Sequence, residues 1–157
     1  MYNQIKRMMN EYNTYQKNRP DYIKVKPLNE NLTEFYVILK VFAGTLFENG
    51  YFELKYDVGF DYPWRPPNVV FITPLYHPNI SNDGIVHIDI LKDQWSPALS
   101  LLPVLITLHS LLQYPYLSSP CNPEFQFHWQ QNEDNCKRKA IEMCYLYAYS
   151  QPLEWDD

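Results

Sequence analysis

The spacing of apolar residues changes its period along the chain, and this change constrains the fold most strongly. Near the N-terminus, apolar residues recur at helical spacing, namely Ile5, Met8, Met9, Tyr12 and Tyr15. Polar residues lie between them, so the segment is predicted to form an amphipathic helix that ends before Pro20. From Tyr22 onward the apolar spacing is that of strands. The chain is therefore expected to begin with a helix and to continue into a sheet.

Four short segments are predicted to be strands. In the second of them, Phe35, Val37, Leu39 and Val41 alternate with other residues, which is typical of a half-buried strand. The predicted strands are Tyr22–Lys26, Glu34–Phe42, Tyr51–Tyr56 and Val69–Thr73. Turn-forming residues separate them. Consecutive strands joined by short turns predict an antiparallel meander.

The second half of the chain is predicted to be a long irregular segment followed by helices. Residues 74–98 show no regular apolar period, and loops of this length in compact domains are usually functional. A buried helix follows, with Ser100 as its N-cap and Pro103 in its first turn. Its predicted core face consists of Leu101, Val104, Leu105, Leu108, Leu111 and Leu112. Two more helices are predicted over Pro123–Gln131 and Glu133–Ser150, which makes the fold class α+β, with one domain over residues 1–157.

Composition and charge exclude several classes of function. The chain has 157 residues, 46% of them hydrophobic, which is typical of a folded globular protein. Its net charge of −5 and the lack of a basic stripe argue against nucleic acid as a partner. The longest apolar run, 104–112, is too short for a membrane span, and residues 1–7 lack the apolar stretch of a signal peptide. Three irregularly spaced cysteines predict neither disulfides nor a zinc site, so a cytosolic or nuclear location is expected.

Several short motifs occur along the chain in one order. They are the proline-rich turn Tyr62-Pro63-Trp64-Arg65-Pro66-Pro67-Asn68-Val69, the segment Tyr76-His77-Pro78-Asn79-Ile80, the segment Ile88-Asp89-Ile90-Leu91 and the turn Asp93-Gln94-Trp95-Ser96-Pro97-Ala98-Leu99. In this order and spacing, and with the Leu-rich helix that follows, the chain resembles the catalytic core of ubiquitin-conjugating enzymes from about Ile5 to Tyr149. The resemblance implies that family's fold: an N-terminal helix, a four-stranded antiparallel meander, a long active-site loop, a central helix and two C-terminal helices.

His87 occupies the position at which the resemblance implies a catalytic cysteine. It lies ten residues after His77, the first residue of the His-Pro-Asn triplet. The family's thiol accepts the C-terminal carboxyl of ubiquitin as a thioester, for which a thiolate is a strong nucleophile and a good leaving group. An acyl-imidazole hydrolyses far more readily, so His87 is not expected to carry a stable ubiquitin conjugate.

Three further residues belong to the candidate catalytic set that the resemblance implies. Asn79 matches the asparagine credited with stabilising the oxyanion, and the alternative is that it forms hydrogen bonds only within its own loop. Ser119 matches the position of an acidic residue in active members, where a serine cannot act as a carboxylate base. Asp89 lies in the segment that matches the strand after the family's cysteine.

The resemblance also implies a surface that contacts ligases. It consists of Lys6 and Arg7 on the first helix, Trp64 in the proline-rich turn, and Ser96, Pro97 and Ala98. An aromatic side chain beside a rigid proline loop is typical of an interface hot spot. The alternative is that Trp64 and Pro97 close off the core, and that Lys6 and Arg7 form an ordinary solvated face.

The remaining candidates carry weaker signals. Cys121 lies in the segment that the family folds close to its catalytic position, so it is a candidate for a displaced thiol, although a bystander cysteine is commoner. Cys136 and Cys144 are eight residues apart and are predicted to face the core. His77, His87 and Asp89 lack a fourth ligand at a suitable spacing, so neither a metal nor another cofactor is expected.

Two functional hypotheses from different classes follow from the sequence. The first is a non-catalytic variant of the conjugating fold that binds ubiquitin or a ubiquitin-like protein, a RING-type or HECT-type ligase, or an active conjugating enzyme. The second is an active ubiquitin-conjugating enzyme, or its Cys-to-His form, that transfers ubiquitin to a substrate lysine. A structural protein unrelated to ubiquitin would require the motif matches to be coincidence.

Overall fold

A computed structural model describes residues 2–117 and 121–152 and contains four α-helices and one four-stranded sheet within those ranges. The helices are α1 (Tyr2–Asn18), α2 (Leu101–Gln113), α3 (Pro123–Gln131) and α4 (Glu133–Tyr147). The strands are β1 (Ile23–Pro27), β2 (Glu34–Lys40), β3 (Tyr51–Asp57) and β4 (Asn68–Phe71). The α+β fold class is thereby confirmed. No helix in the described ranges is long and apolar enough to cross a membrane.

The four strands form an antiparallel meander in chain order, as predicted. The pairs Val37–Leu54 and Leu39–Phe52 of β2 and β3 lie opposite each other, and all four side chains are buried. Because successive strand residues point to opposite faces, these alternating apolar residues form one inner face of the sheet. Helix α2 lies against this core, with all six residues of its predicted face buried.

Helix α1 covers one side of the core and also contacts the edge strand β1. The Tyr15 hydroxyl donates to the carbonyl oxygen of Ile23 at 3.2 Å and accepts from the N–H of Val25 at 3.0 Å. It thus satisfies two backbone groups that an edge strand would otherwise leave unpaired. Met9, which was predicted as part of the apolar face, is half exposed.

Three of the elements end earlier in the chain than predicted, each for an identifiable reason. Strand β2 ends at Lys40 because the N–H of Phe42 donates to the side chain of Gln113 rather than to a strand. Strand β4 ends at Phe71 because the next two N–H groups both donate to the carbonyl oxygen of Glu53. Helix α4 ends at Tyr147 because the carbonyl oxygen of Ala148 accepts from the first N–H of β3.

The predicted N-cap of α2 is wrong in its mechanism. Ser100 has the extended backbone of an N-cap residue, but its side chain makes no capping hydrogen bond. The N–H of Leu101 instead donates to Oε1 of Glu11 at 2.8 Å. The Glu11 carboxylate also accepts from Nε of Arg7 and from the hydroxyl of Tyr62, each at 2.8 Å. A buried acid on α1 therefore stabilises the N-terminus of α2.

Residues 74–98 form no α-helix or extended strand, as predicted, yet backbone hydrogen bonds order them. A short 3-10 turn spans Asp89–Leu91, and Val70 pairs with Ile85 in an isolated bridge. Gly84 adopts φ +87°, and its carbonyl oxygen accepts from the N–H of Phe71 at 2.8 Å. This glycine brings the segment directly against β4.

Candidate functional site

The His-Pro-Asn triplet is held in place by the ring of its histidine. His77 is fully buried, and its Nε2 lies 3.0 Å from the carbonyl oxygen of Leu111 in α2. Its Nδ1 accepts from the N–H of Asn79 at 2.9 Å, so the proton of the neutral ring lies on Nε2. Burial lowers the pKa of His77 to about 4. The imidazole is therefore a neutral structural bridge between the loop and α2 near pH 7.

The Asn79 side chain is used within the fold. Its Oδ1 accepts from the N–H of Tyr116 at 2.9 Å, and its Nδ2 lies 3.4 Å from the carbonyl oxygen of the same residue. The residue is 2% exposed. Its backbone carbonyl oxygen accepts from the N–H of His87 at 2.9 Å. Asn79 thus connects the segment around Tyr116 to the backbone at position 87.

A second asparagine fastens the same loop to α3. The Asn122 Nδ2 donates to the carbonyl oxygens of His77 and Ile80, and its Oδ1 accepts from the N–H groups of Glu124 and Phe125. Asn122 is therefore at once the N-cap of α3 and a support for the His-Pro-Asn loop. This second role is not apparent from the sequence, although an Asn directly before Pro123 is a signal for the cap.

His87 is partly buried and lines a cleft, with a lysine against its ring. The Nζ of Lys92 lies 2.9 Å from the Nδ1 of His87. Burial and the positive charge of Lys92 both lower the pKa of His87. The imidazole is accordingly held toward its neutral form. Nothing in the sequence pattern marked Lys92, which reaches the ring only because a 3-10 turn lies between the two residues.

The cleft has a volume of about 590 Å³, and four of the residues singled out from the sequence line it: Asn79, His87, Asp89 and Cys121. The Cys121 thiol is exposed, and its Sγ lies 4.0 Å from the carbonyl oxygen of His87. Asp89 is exposed at the start of the 3-10 turn. Ser119, the fourth candidate catalytic residue, lies outside the described residues. The cleft therefore gathers the other three members of the candidate catalytic set with Cys121.

The other two cysteines belong to the core. Cys136 and Cys144 are both buried on α4, as predicted. Burial raises the pKa of each thiol, to about 11 for Cys144. Neither is therefore a ready nucleophile near neutral pH. In residues 2–117 and 121–152, no group of three His, Cys, Asp or Glu side chains is arranged to hold a metal ion.

The two basic residues of the candidate ligase surface differ in their surroundings. Lys6 is exposed. The Arg7 guanidinium is instead hydrogen-bonded within the fold: Nη2 donates to the carbonyl oxygens of Pro97 and Leu99, at 2.5 and 3.0 Å, and Nε pairs with Glu11. Arg7 therefore fastens the loop around Pro97 to α1, and Lys6 is the more accessible cation.

Trp64 projects from a turn that is fixed on both sides. Its side chain is 77% exposed. The amide of Gln4 in α1 donates to the carbonyl oxygen of Gly59 at 2.7 Å, and the indole N–H of Trp95 donates to that of Pro63 at 2.9 Å. Phe60, which no sequence motif marked, is 86% exposed in the same turn. The exposed indole does not close off the core.

The remaining three residues of the candidate ligase surface form one short turn. Pro97 and Ala98 are exposed and Ser96 is partly exposed. The Ser96 hydroxyl accepts from the N–H of Ala98 at 3.2 Å, and its carbonyl oxygen accepts from the N–H of Leu99 at 2.9 Å. Through Arg7 and through Trp95, this turn is joined to α1 and to the turn that carries Trp64.

Comparison with known proteins gives a consistent result. A family model described as "Ubiquitin-conjugating enzyme" matches residues 7–144. Ubiquitin-conjugating enzyme E2 13 of Saccharomyces cerevisiae is 38% identical over 130 residues, which cover 83% of this chain and 85% of that protein. Ubiquitin-conjugating enzyme E2 N of Macaca fascicularis is 36% identical over 126 residues, which cover 80% and 83%. Since the family model spans most of the chain and the relatives match over most of their length, the chain belongs to the ubiquitin-conjugating enzyme family.

Proposed function

We propose that this chain is a non-catalytic member of its family. It acts in the conjugation of ubiquitin or a ubiquitin-like protein by binding that modifier, a RING-type or HECT-type ligase, or an active conjugating enzyme. The observation that carries the proposal is the imidazole of His87, which lines the cleft at the position that the sequence motifs assign to the acceptor thiol.

The chemistry of the imidazole supports this proposal. An acceptor for ubiquitin must form an acyl bond that survives until transfer, which a thioester does and an acyl-imidazole does not. One ring nitrogen of His87 is also engaged in a hydrogen bond, because Nδ1 lies 2.9 Å from the ammonium of Lys92. At the same time, the Asn79 amide is hydrogen-bonded to the backbone of Tyr116, a structural role that does not require catalysis.

The exposed parts of the candidate ligase surface support a role in binding. Trp64 and Phe60 stand exposed on a turn that α1 and Trp95 hold in place. A rigid turn loses little conformational entropy when a partner covers it, and exposed aromatic side chains bury a large apolar area. Lys6, Pro97 and Ala98 are exposed and extend the candidate surface.

The decisive experiment is a thioester-loading assay with activating enzyme, ATP and ubiquitin. The unaltered chain is expected to give no reducible ubiquitin adduct, whereas His87→Cys is expected to give some, because the motifs around position 87 are intact. Cys136→Ser is a matched control that removes a buried thiol and is expected to give no adduct, like the unaltered chain. A reducible adduct on the unaltered chain would contradict the proposal.

One observation favours a second candidate, an enzyme that uses a displaced thiol. The Cys121 Sγ is exposed, lines the same cleft and lies 4.0 Å from the carbonyl oxygen of His87. If the unaltered chain does form an adduct, Cys121→Ser distinguishes the two positions. Loss of the adduct in Cys121→Ser would assign the acyl bond to this thiol, and persistence would exclude it.

A further inference from the structure

Lys92 is brought back over His87 by the 3-10 turn between them. The turn spans Asp89–Leu91, and the N–H of Lys92 donates to the carbonyl oxygen of Asp89 at 2.9 Å. Ile88, just before the turn, is extended and buried. The Lys92 ammonium therefore returns to within 2.9 Å of the Nδ1 of His87, five residues earlier.

The chemistry of the two groups determines the direction of this hydrogen bond. A lysine ammonium has three N–H donors and no acceptor, so Nδ1 must accept. A neutral imidazole with an unprotonated Nδ1 carries its proton on Nε2. A protonated ring would place a second positive charge beside the first, which is unfavourable at this separation.

We propose that Lys92 is a positioning residue that holds His87 as the neutral Nε2–H tautomer, so that position 87 offers the cleft a hydrogen-bond donor and no free lone pair. This inference rests on the proposed function and explains why the imidazole at this site does not act as a nucleophile or a metal ligand. An imidazole needs a lone pair to attack an acyl carbon or to bind a metal ion. In this tautomer its one lone pair on nitrogen accepts from Lys92.

The other groups around His87 leave this assignment intact. Burial and Lys92 both lower the pKa of the ring, so both disfavour the imidazolium. Cys121 contacts the backbone carbonyl oxygen of His87 through its thiol, and Asp89 lines the same cleft. Within the described ranges, Lys92 is the one hydrogen-bond partner of the His87 imidazole.

The test is nitrogen NMR of the His87 ring in the intact protein. The pH is varied from about 5 to about 8, a range that includes the ordinary pKa of histidine. In the unaltered chain, Nδ1 is expected to resonate as an unprotonated nitrogen and Nε2 as a protonated one. In Lys92→Met, a mixture of tautomers and a higher pKa of His87 are expected. Lys92→Arg keeps a cationic donor and is expected to preserve the single tautomer.

Lys17→Met is the matched control, because it removes the same charge from an exposed position in the last turn of α1. It is expected to leave both the tautomer and the pKa of His87 unchanged. The inference is overturned if Nδ1 carries the proton in the unaltered chain, or if Lys92→Met changes neither tautomer nor pKa. A thioester on Cys121 would contradict the proposed function without altering this measurement, so the two can fail separately.

Discussion

At the scale of single residues, Asn79 shows a side chain committed to the fold. Both of its amide atoms contact the backbone of Tyr116, 37 residues later, and the residue is buried. The Asn79→Ala variant is expected to lose about 1–3 kcal/mol of unfolding free energy, because the Tyr116 N–H is left without its acceptor. Denaturant unfolding measures this loss, and hydrogen exchange at the Tyr116 amide should become faster.

The matched control for that variant is Asn13→Ala, at an exposed position of α1. Its stability is expected to stay within about 0.5 kcal/mol of the unaltered chain. If the Tyr116 amide already exchanges rapidly in the unaltered chain, the hydrogen bond to Asn79 does not hold this segment. The oxyanion role that the family resemblance implies would then become the better explanation of Asn79.

Gly84 is the second residue with a specific requirement. It adopts φ +87°, and an added Cβ would overlap the carbonyl oxygen of Phe71. Gly44 has a similar φ of +100° but nothing within 4 Å of the added atom. Gly84→Ala is therefore expected to cost about 1–3 kcal/mol more than Gly44→Ala, since both carry the backbone strain and only Gly84 carries the overlap. Equal losses in denaturant unfolding would refute the close approach.

At the scale of elements, the contact between α1 and α2 depends on one buried carboxylate. Glu11 accepts from the N–H of Leu101, from Arg7 and from Tyr62, whereas the Ser100 side chain caps nothing. Glu11→Ala is expected to destabilise the chain by about 3–5 kcal/mol, because it leaves several buried donors unpaired. Ser100→Ala is expected to cost less than about 0.5 kcal/mol.

An ordinary cap provides the comparison for this prediction. The Asn132 side chain accepts from the N–H of Asn135 at the start of α4, so Asn132→Ala is expected to cost about 1 kcal/mol. In thermal or denaturant unfolding, the loss of stability should be largest for Glu11→Ala, smaller for Asn132→Ala and smallest for Ser100→Ala. A loss for Ser100→Ala as large as that for Asn132→Ala would restore the hydroxyl cap expected from the sequence.

At the scale of the whole molecule, two buried histidines make stability depend on pH. His77 and His109 both contact carbonyl oxygens across the core, those of Leu111 and Lys40, and burial lowers both pKa values, to about 4 for His77. The unfolded chain binds protons below its ordinary histidine pKa of about 6.5, while the folded chain does not. Stability is therefore expected to fall as the pH falls from about 6.5 toward 4.

The slope should approach about 1.4 kcal/mol per pH unit for each histidine that stays neutral in the fold. This slope is checked by measuring the unfolding free energy from about pH 7 to about pH 5, where histidines of the unfolded chain bind protons. His109→Gln is expected to reduce it, because burial holds this ring toward its neutral form in the folded chain. A slope that His109→Gln does not alter would mean that the ring titrates normally in the folded state.

The sequence by itself determined the fold class and the faces that pack. The alternation in β2 and the helical row from Leu101 to Leu112 follow from backbone geometry, because side chains repeat every two residues in a strand and about every 3.6 in a helix. Such periods are local, so they can be read without knowing what lies opposite. The dispersed motifs determined the family for the same reason, since their order and spacing lie within the chain itself.

The tertiary structure alone decided how the polar side chains are used. Arg7 donates to carbonyl oxygens 90 and 92 residues away, and Glu11 replaces Ser100 as the cap of α2. Lys92 is hydrogen-bonded to the ring of His87. A hydrogen bond depends on where two groups meet in space, and the order of residues along the chain does not by itself give that position. His87 could be found in the sequence, but the partner that sets its protonation became visible only once the 3-10 turn had folded Lys92 back over it.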